Sequence, residues 1–240
     1  MPSSSKDTTD QTFNKLTSSI LELEQRGIGV YSNNSHNVFL EDDINGSISS
    51  ESTSIPPSTL NPQHIQLKSS KLILNAHDLA AHTSDLNDLF TSQSFINFIS
   101  SILQTKMYPS TDPYGKYYGN IFHKGDGLNW HFDRSELLIL QPAEEGGEFQ
   151  FASDSREVVQ NWDTMPLDVE EVSNALEKHS KILHQPVLSS GDMYIFRGQN
   201  SLHRVSQITK GTRINIILTY NTKQTELNSY TLQKFFGVEK

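Results

Sequence analysis

A histidine and an aspartate stand two residues apart in Trp130-His131-Phe132-Asp133, just ahead of the apolar run "ELLIL". In an extended strand residues i and i+2 point the same way, so the imidazole and the carboxylate can share a face while Phe132 turns into the wall. Alone, the pair is equally well the solvated lip of an ordinary strand. The chain has no cysteine, so any metal must be held by His, Asp or Glu. A second histidine, His203 in "FRGQNSLHRVSQI", lies 72 residues after His131 and shortly after the strand-like "DMYIF". Two histidines and one carboxylate make the facial triad that binds Fe(II) and leaves its other positions open for co-substrate and oxygen. Arg213, ten residues further on, stands where a strand returning beside His203 could aim a guanidinium into the same pocket. Arginine pairs with carboxylates through two parallel hydrogen bonds, which suits a dicarboxylic co-substrate.

Residues 1–10 are rich in Ser, Thr and Asp and are expected to form a flexible N-terminus. Phe13, Leu16, Ile20 and Leu23 then recur at helical spacing until Gly27. "GIGVY" and "NVFL" read as short strands, and residues 42–61 are too polar and too broken by Gly and Pro for either period, hence a long loop. Leu79, Leu86, Leu89, Phe90 and then Phe95, Phe98, Ile99 and Ile102 fit two packed helices. From Tyr117 onward short strands dominate, separated by Gly, Asp and Asn, with one helix expected in "LDVEEVSNALEKHSKIL". Helices first and strands later make an α+β chain whose C-terminal half is a sandwich or barrel, the jelly roll foremost. Residues 11–240 form a single domain in this reading, with a mixed part over 11–110 and a jelly-roll core over 111–225.

With 19 Lys+Arg against 28 Asp+Glu the formal charge is -9, which disfavours nucleic acid as a partner, because tracking phosphates needs a clustered basic stripe. No window reaches the roughly 18 apolar residues of a spanning helix. The N-terminus shows neither a secretory nor a transit pattern, so the expected setting is cytoplasmic, and the sequons at Asn33 and Asn45 read as loop.

The tract from about Tyr117 to Thr222 resembles the Fe(II)/2-oxoglutarate-dependent oxygenases. Within them, Trp130-His131-Phe132-Asp133, Gly146-Gly147-Glu148-Phe149, Phe196-Arg197-Gly198, Ser201-Leu202-His203-Arg204-Val205 and Arg213 are similar to the branch of free-amino-acid hydroxylases and radical halogenases. The resemblance implies a double-stranded β-helix, a cupin-like jelly roll with the N-terminal helices packed on it. It implies iron held by His131, Asp133 and His203, the distal carboxylate of 2-oxoglutarate on Arg213, and O2 as the other co-substrate. Halogenases of that branch have Gly or Ala where this chain has Asp133, freeing a coordination position for chloride. Retained aspartate therefore implies hydroxylation, with a small polar metabolite, a free amino acid or a derivative, as substrate. A protein side chain or an alkylated base is the alternative substrate, and a non-catalytic cupin-like binding module the alternative class.

Around the triad, Trp130, Arg197 and Asn200 are candidate substrate contacts, and Gln141 is a polar neighbour. Each also has a plain structural reading, as core packing for Trp130 and turn residues for the polar ones. His123 reads as a solvated loop residue, Glu170, Glu171 and Glu177 as the outer face of a helix, and the remaining histidines carry no spacing signal.

Overall fold

The computed structural model describes residues 4–37, 66–133, 136–140, 145–155, 172, 174, 175, 178 and 183–223. A helix α1 (Ser4–Gln25) is followed by strands β1 (Val30–Asn37) and β2 (Gln66–Leu74), then by helices α2 (Ala76–Ala80), α3 (Asp85–Thr91) and α4 (Gln93–Leu103). Strands follow: β3 (Tyr108–Pro109), β4 (Tyr117–Phe122), β5 (Leu128–His131), β6 (Glu136–Leu140), β7 (Glu145–Gly146) and β8 (Phe149–Ala152). The last four are β9 (Tyr194–Phe196), β10 (Leu202–Val205), β11 (Ile208–Lys210) and β12 (Arg213–Asn221).

All strand pairings among the described residues are antiparallel. The large sheet runs β1-β2-β4-β12-β6-β9 with β3 also on β12, a second sheet runs β5-β10-β8, and β11 pairs β7. The register gives each face of the large sheet its character. Ile121 pairs Leu72 and Ile214, and Gly119 pairs Leu74 and Ile216. Because side chains alternate, this row packs outward on the helices, where Leu74, Tyr117, Ile121, Ile214, Ile216 and Leu218 are buried with Ile20 and Leu23 of α1 and Leu79, Phe90 and Ile99 of α2 to α4. α1 packs directly on this row: a Cβ at Gly119 would stand in ordinary van der Waals contact with Ile20, at 3.6 Å. The opposite row carries Asn120, Phe122, Arg213 and Asn215 and faces inward.

The helix ends are closed by side chains: Asn75 Oδ1 accepts from Asp78 N–H at 3.0 Å, and Ser92 Oγ accepts from Phe95 N–H at 3.4 Å. The Tyr220 hydroxyl donates to Phe90 C=O at 2.8 Å and ties the end of β12 to α3. Tyr220→Phe should destabilise the fold by about 1–2 kcal/mol, leaving a buried carbonyl without its donor; urea unfolding of both proteins measures this.

Two expectations change. Residues 4–10, expected to fray, belong to α1. The core is not confined to 111–225, because β1 and β2 extend the large sheet from the N-terminal half. Of "NVFL", Asn37 closes β1, and its other residues lie outside the described ones, as does the 42–61 loop. Of the expected helix over 167–183, the described Val172, Asn174, Ala175 and Lys178 are helical.

Candidate metal centre

His131 ends β5 and His203 lies on β10, and the two are directly opposite in the ladder. Their imidazole centroids are 4.1 Å apart. Asp133 follows where the strand has ended, and its backbone N–H donates to Gly198 C=O at 2.9 Å, which turns the carboxylate back toward the histidines. Asp133 Oδ1 is 3.5 Å from His131 Nε2 and Oδ2 is 3.3 Å from His203 Nε2. Among the described residues this trio is the group that could hold a metal ion, its three donor atoms lying within 4.8 Å of one another. Bonds of about 2.1 Å to a small octahedral cation put neighbouring donors about 3 Å apart.

The tautomers also suit a metal. His131 Nδ1 contacts Asn129 C=O at 2.6 Å and His203 Nδ1 contacts Ser201 C=O at 2.9 Å. Nδ1–H is then the donor in each ring, which leaves the Nε2 lone pairs toward Asp133. Burial, reinforced by His203, pushes the His131 imidazole below its ordinary value against the pull of Asp133, so it is held neutral. For Asp133 burial acts upward, but His203 and His131 outweigh it and hold the carboxyl well below the usual range. A neutral His131 imidazole beside an ionised Asp133 carboxylate is the protonation state that metal ligands require.

Gly198 makes room for this arrangement. A Cβ at 198 would fall onto Asp133 Oδ2 and lie 2.6 Å from its Cγ and 2.7 Å from its Cβ. Phe149 and Phe196 pack around His203 with ring centroids at 5.8 and 4.8 Å, and Phe151 sits opposite His203 on β8. These rings make one wall of the centre apolar.

Arg213 opens β12 and is 1% exposed. One Nη donates to Gly147 C=O, while Nε is buried without a hydrogen-bond partner. Burial lowers the guanidinium to about 10, with Glu148 and Tyr194 acting the other way, so it is cationic at neutral pH. A buried cation with an unused donor calls for an anion. Among the described residues, Asn120 Oδ1, Asn215 Oδ1, Thr219 Oγ1 and Asp133 Oδ2 are likewise buried without partners. Asn120 and Asn215 are cross-strand neighbours on the inward face that carries Arg213.

The expected substrate contacts sit elsewhere. Trp130, next to His131 on the strand, turns to the opposite face and packs on Val172, Ala175 and Leu202, with the Arg204 guanidinium 4.8 Å from its ring. Arg197 donates to Leu103 C=O at 3.0 Å and anchors its turn to the end of α4. Asn200 is buried in that turn, where its N–H donates to Arg197 C=O at 3.1 Å. Gln141 lies outside the described residues. His123 is an exposed contact of Glu24 on α1.

Residues 59–235 match the model of the family described as Halogenase D. A comparison with curated proteins found no match. Among solved structures, AviO1 from Streptomyces viridochromogenes Tue57 is 11% identical with a TM-score of 0.50, covering 88% of this chain and 84% of that one, which marks a shared fold. A 2OG-Fe(II) oxygenase family oxidoreductase from Burkholderia pseudomallei (11% identity, TM-score 0.44) covers 66% of this chain and 70% of its own. HygX from Streptomyces hygroscopicus with nickel, 2-oxoglutarate and hygromycin B bound (15% identity, TM-score 0.41) covers 62% and 69%. No helix of the described residues is long and apolar enough to cross a membrane.

Proposed function

Because the chain belongs to the halogenase D family yet keeps a carboxylate, Asp133, facing both histidines, we propose that it is an Fe(II)- and 2-oxoglutarate-dependent dioxygenase hydroxylating an unactivated C–H bond of a small polar metabolite. The His131–Asp133–His203 cluster carries this reading. The two inward-facing antiparallel sheets are consistent with a double-stranded β-helix that encloses the site. Iron(II), when bound, would activate dioxygen as the oxidant; 2-oxoglutarate and the C–H bond would each give up two electrons, so that one oxygen atom ends in succinate, released with CO2, and the other in the hydroxylated product.

The protein's own part is placement and shielding. His131 and His203 offer fixed Nε2 donors, and Asp133 supplies the anionic third ligand and occupies a position that a halide ion would otherwise need. Arg213 holds the remote carboxylate of the co-substrate through its unused Nε and keeps it oriented toward the metal. Phe149, Phe151 and Phe196 exclude water from the side of His203. The substrate reading, a free amino acid or a derivative, rests on the sequence resemblance alone.

Iron-loaded protein given 2-oxoglutarate and a metabolite extract in chloride buffer should form succinate and a product heavier by one oxygen. No 2-oxoglutarate turnover, or a chlorinated product, would overturn the proposal. Arg213→Met should leave iron binding intact while raising the 2-oxoglutarate requirement about tenfold or more, as expected for losing a charge-assisted pair; initial rates against co-substrate concentration read this out.

A further inference from the structure

Lys71 on β2 is a buried cation on the inward face, 6% exposed, and the metal centre does not use it. Leu72 pairs Ile121, so Lys71 lies level with Phe122, whose partner on the other side is Arg213. The two cations therefore flank Phe122 across three strands, with backbones roughly 10 Å apart at the usual strand spacing. From there the Lys71 side chain reaches Tyr118, its ammonium 5.9 Å from the ring centroid. Tyr118 is half-buried, so this end of the inward face is still accessible.

Nothing described balances that ammonium fully. No hydrogen bond or ion pair to it exists among the described residues, and the Asp133 carboxylate, which acts on it electrostatically, is committed to the histidines. Burial accordingly lowers the amine to about 8, with Asp133 acting the other way. The same inward row carries Asn120 and Asn215, whose amide oxygens have no partners, and Thr219, whose hydroxyl has none either. On the described inward face the one carboxylate is Asp133. Among the described residues the lining is thus a cation beside neutral hydrogen-bonding groups, and its one acid, Asp133, already faces the two histidines.

We propose that Lys71 anchors an anionic group of the substrate, and that the Asn120–Asn215 pair receives neutral hydrogen-bond donors further along it. The substrate class is a small anionic metabolite with a neutral polar body, as opposed to a basic one. A buried lysine without a fixed counterion costs stability, which a substrate-bound anion would repay. This assignment rests on the iron-oxygenase reading above, because it takes the enclosed face as the substrate chamber.

The test uses full-length protein loaded anaerobically with Fe(II) and saturating 2-oxoglutarate. The visible charge-transfer band of the iron chelate reports the co-substrate site, and calorimetry reports probe binding. Probes are acid and amide pairs of one skeleton, L-glutamine with L-glutamine amide and N-acetylglycine with N-acetylglycinamide. O-phosphoserine against serine separates a phosphate from a carboxylate source of the anion. At least one probe should bind about tenfold or more tightly than its partner that lacks the carboxylate or the phosphate. That preference should vanish in Lys71→Met, persist in Lys71→Arg, and leave the band unchanged in both. Lys71→Met should also unfold at a higher temperature, which shows that lost binding is not lost folding. An unchanged anion preference in Lys71→Met, or no such preference in the wild type, overturns the assignment. A missing band in the wild type overturns the oxygenase reading instead, and the calorimetric arm still decides on Lys71.

Discussion

Replacing His203 with alanine should abolish iron retention and with it 2-oxoglutarate turnover. His203 is 2% exposed, opposite His131 in the ladder, and its Nε2 lies 3.3 Å from Asp133 Oδ2. Removing it takes one of three protein donors and leaves the Asp133 carboxylate without one of the two imidazoles that hold it ionised. Changing a residue that merely orients a ligand costs about 10–100-fold in metal affinity, so losing the ligand itself should cost at least about a hundredfold. Metal content after gel filtration checks this, with circular dichroism confirming the fold. Retained stoichiometric iron would place the centre elsewhere.

Gly198→Ala should have a comparable effect from a position that offers no donor atom. The added methyl falls onto the Asp133 carboxylate and lies 2.7 Å from its Cβ, and the Asp133 backbone cannot simply move away, because its N–H is bonded to the carbonyl of residue 198 itself. The carboxylate is driven out of the trio, and iron affinity should fall about 10–100-fold with activity following. The clash also dictates a coupling. Asp133→Gly removes the group that the methyl meets, so Gly198→Ala should add little further loss in that background, a non-additivity expected of residues in direct contact. Iron titrations of the two single variants and the double variant form the cycle. Equal losses in both backgrounds would mean that alanine acts through the turn and not through Asp133.

The metal centre was largely legible from residue type and spacing. His131 and Asp133 reach one cluster as the i, i+2 spacing suggests, although the strand stops at His131 and the turn bonded to Gly198 is what brings the carboxylate there. His203 and Arg213 stand out because each follows or opens a recognisable apolar strand. Adjacency along the chain misled for Trp130, since the alternation that brings His131 inward sends its neighbour outward onto Val172 and Leu202. Lys71 and Gly198 were not legible at all. Lys71 faces inward only through the register of β2 on β4, which joins segments far apart in sequence, and "QLKSSKLIL" shows no sign of it. Gly198 looked like one more turn glycine until its distance to the Asp133 side chain was known. The helices were readable from their apolar spacing, but the joining of β1 and β2 to the large sheet was not, because "YSNNSHN" has no apolar alternation to announce a strand.

If His131, Asp133 and His203 hold iron with 2-oxoglutarate chelated beside Arg213, anaerobic addition of Fe(II) and then 2-oxoglutarate should be visible in the absorption spectrum. A charge-transfer band should appear that saturates at one iron per chain, needs both components and is absent in His203→Ala, as this assignment requires. Iron that binds without producing the band, or a band that survives in His203→Ala, would contradict it.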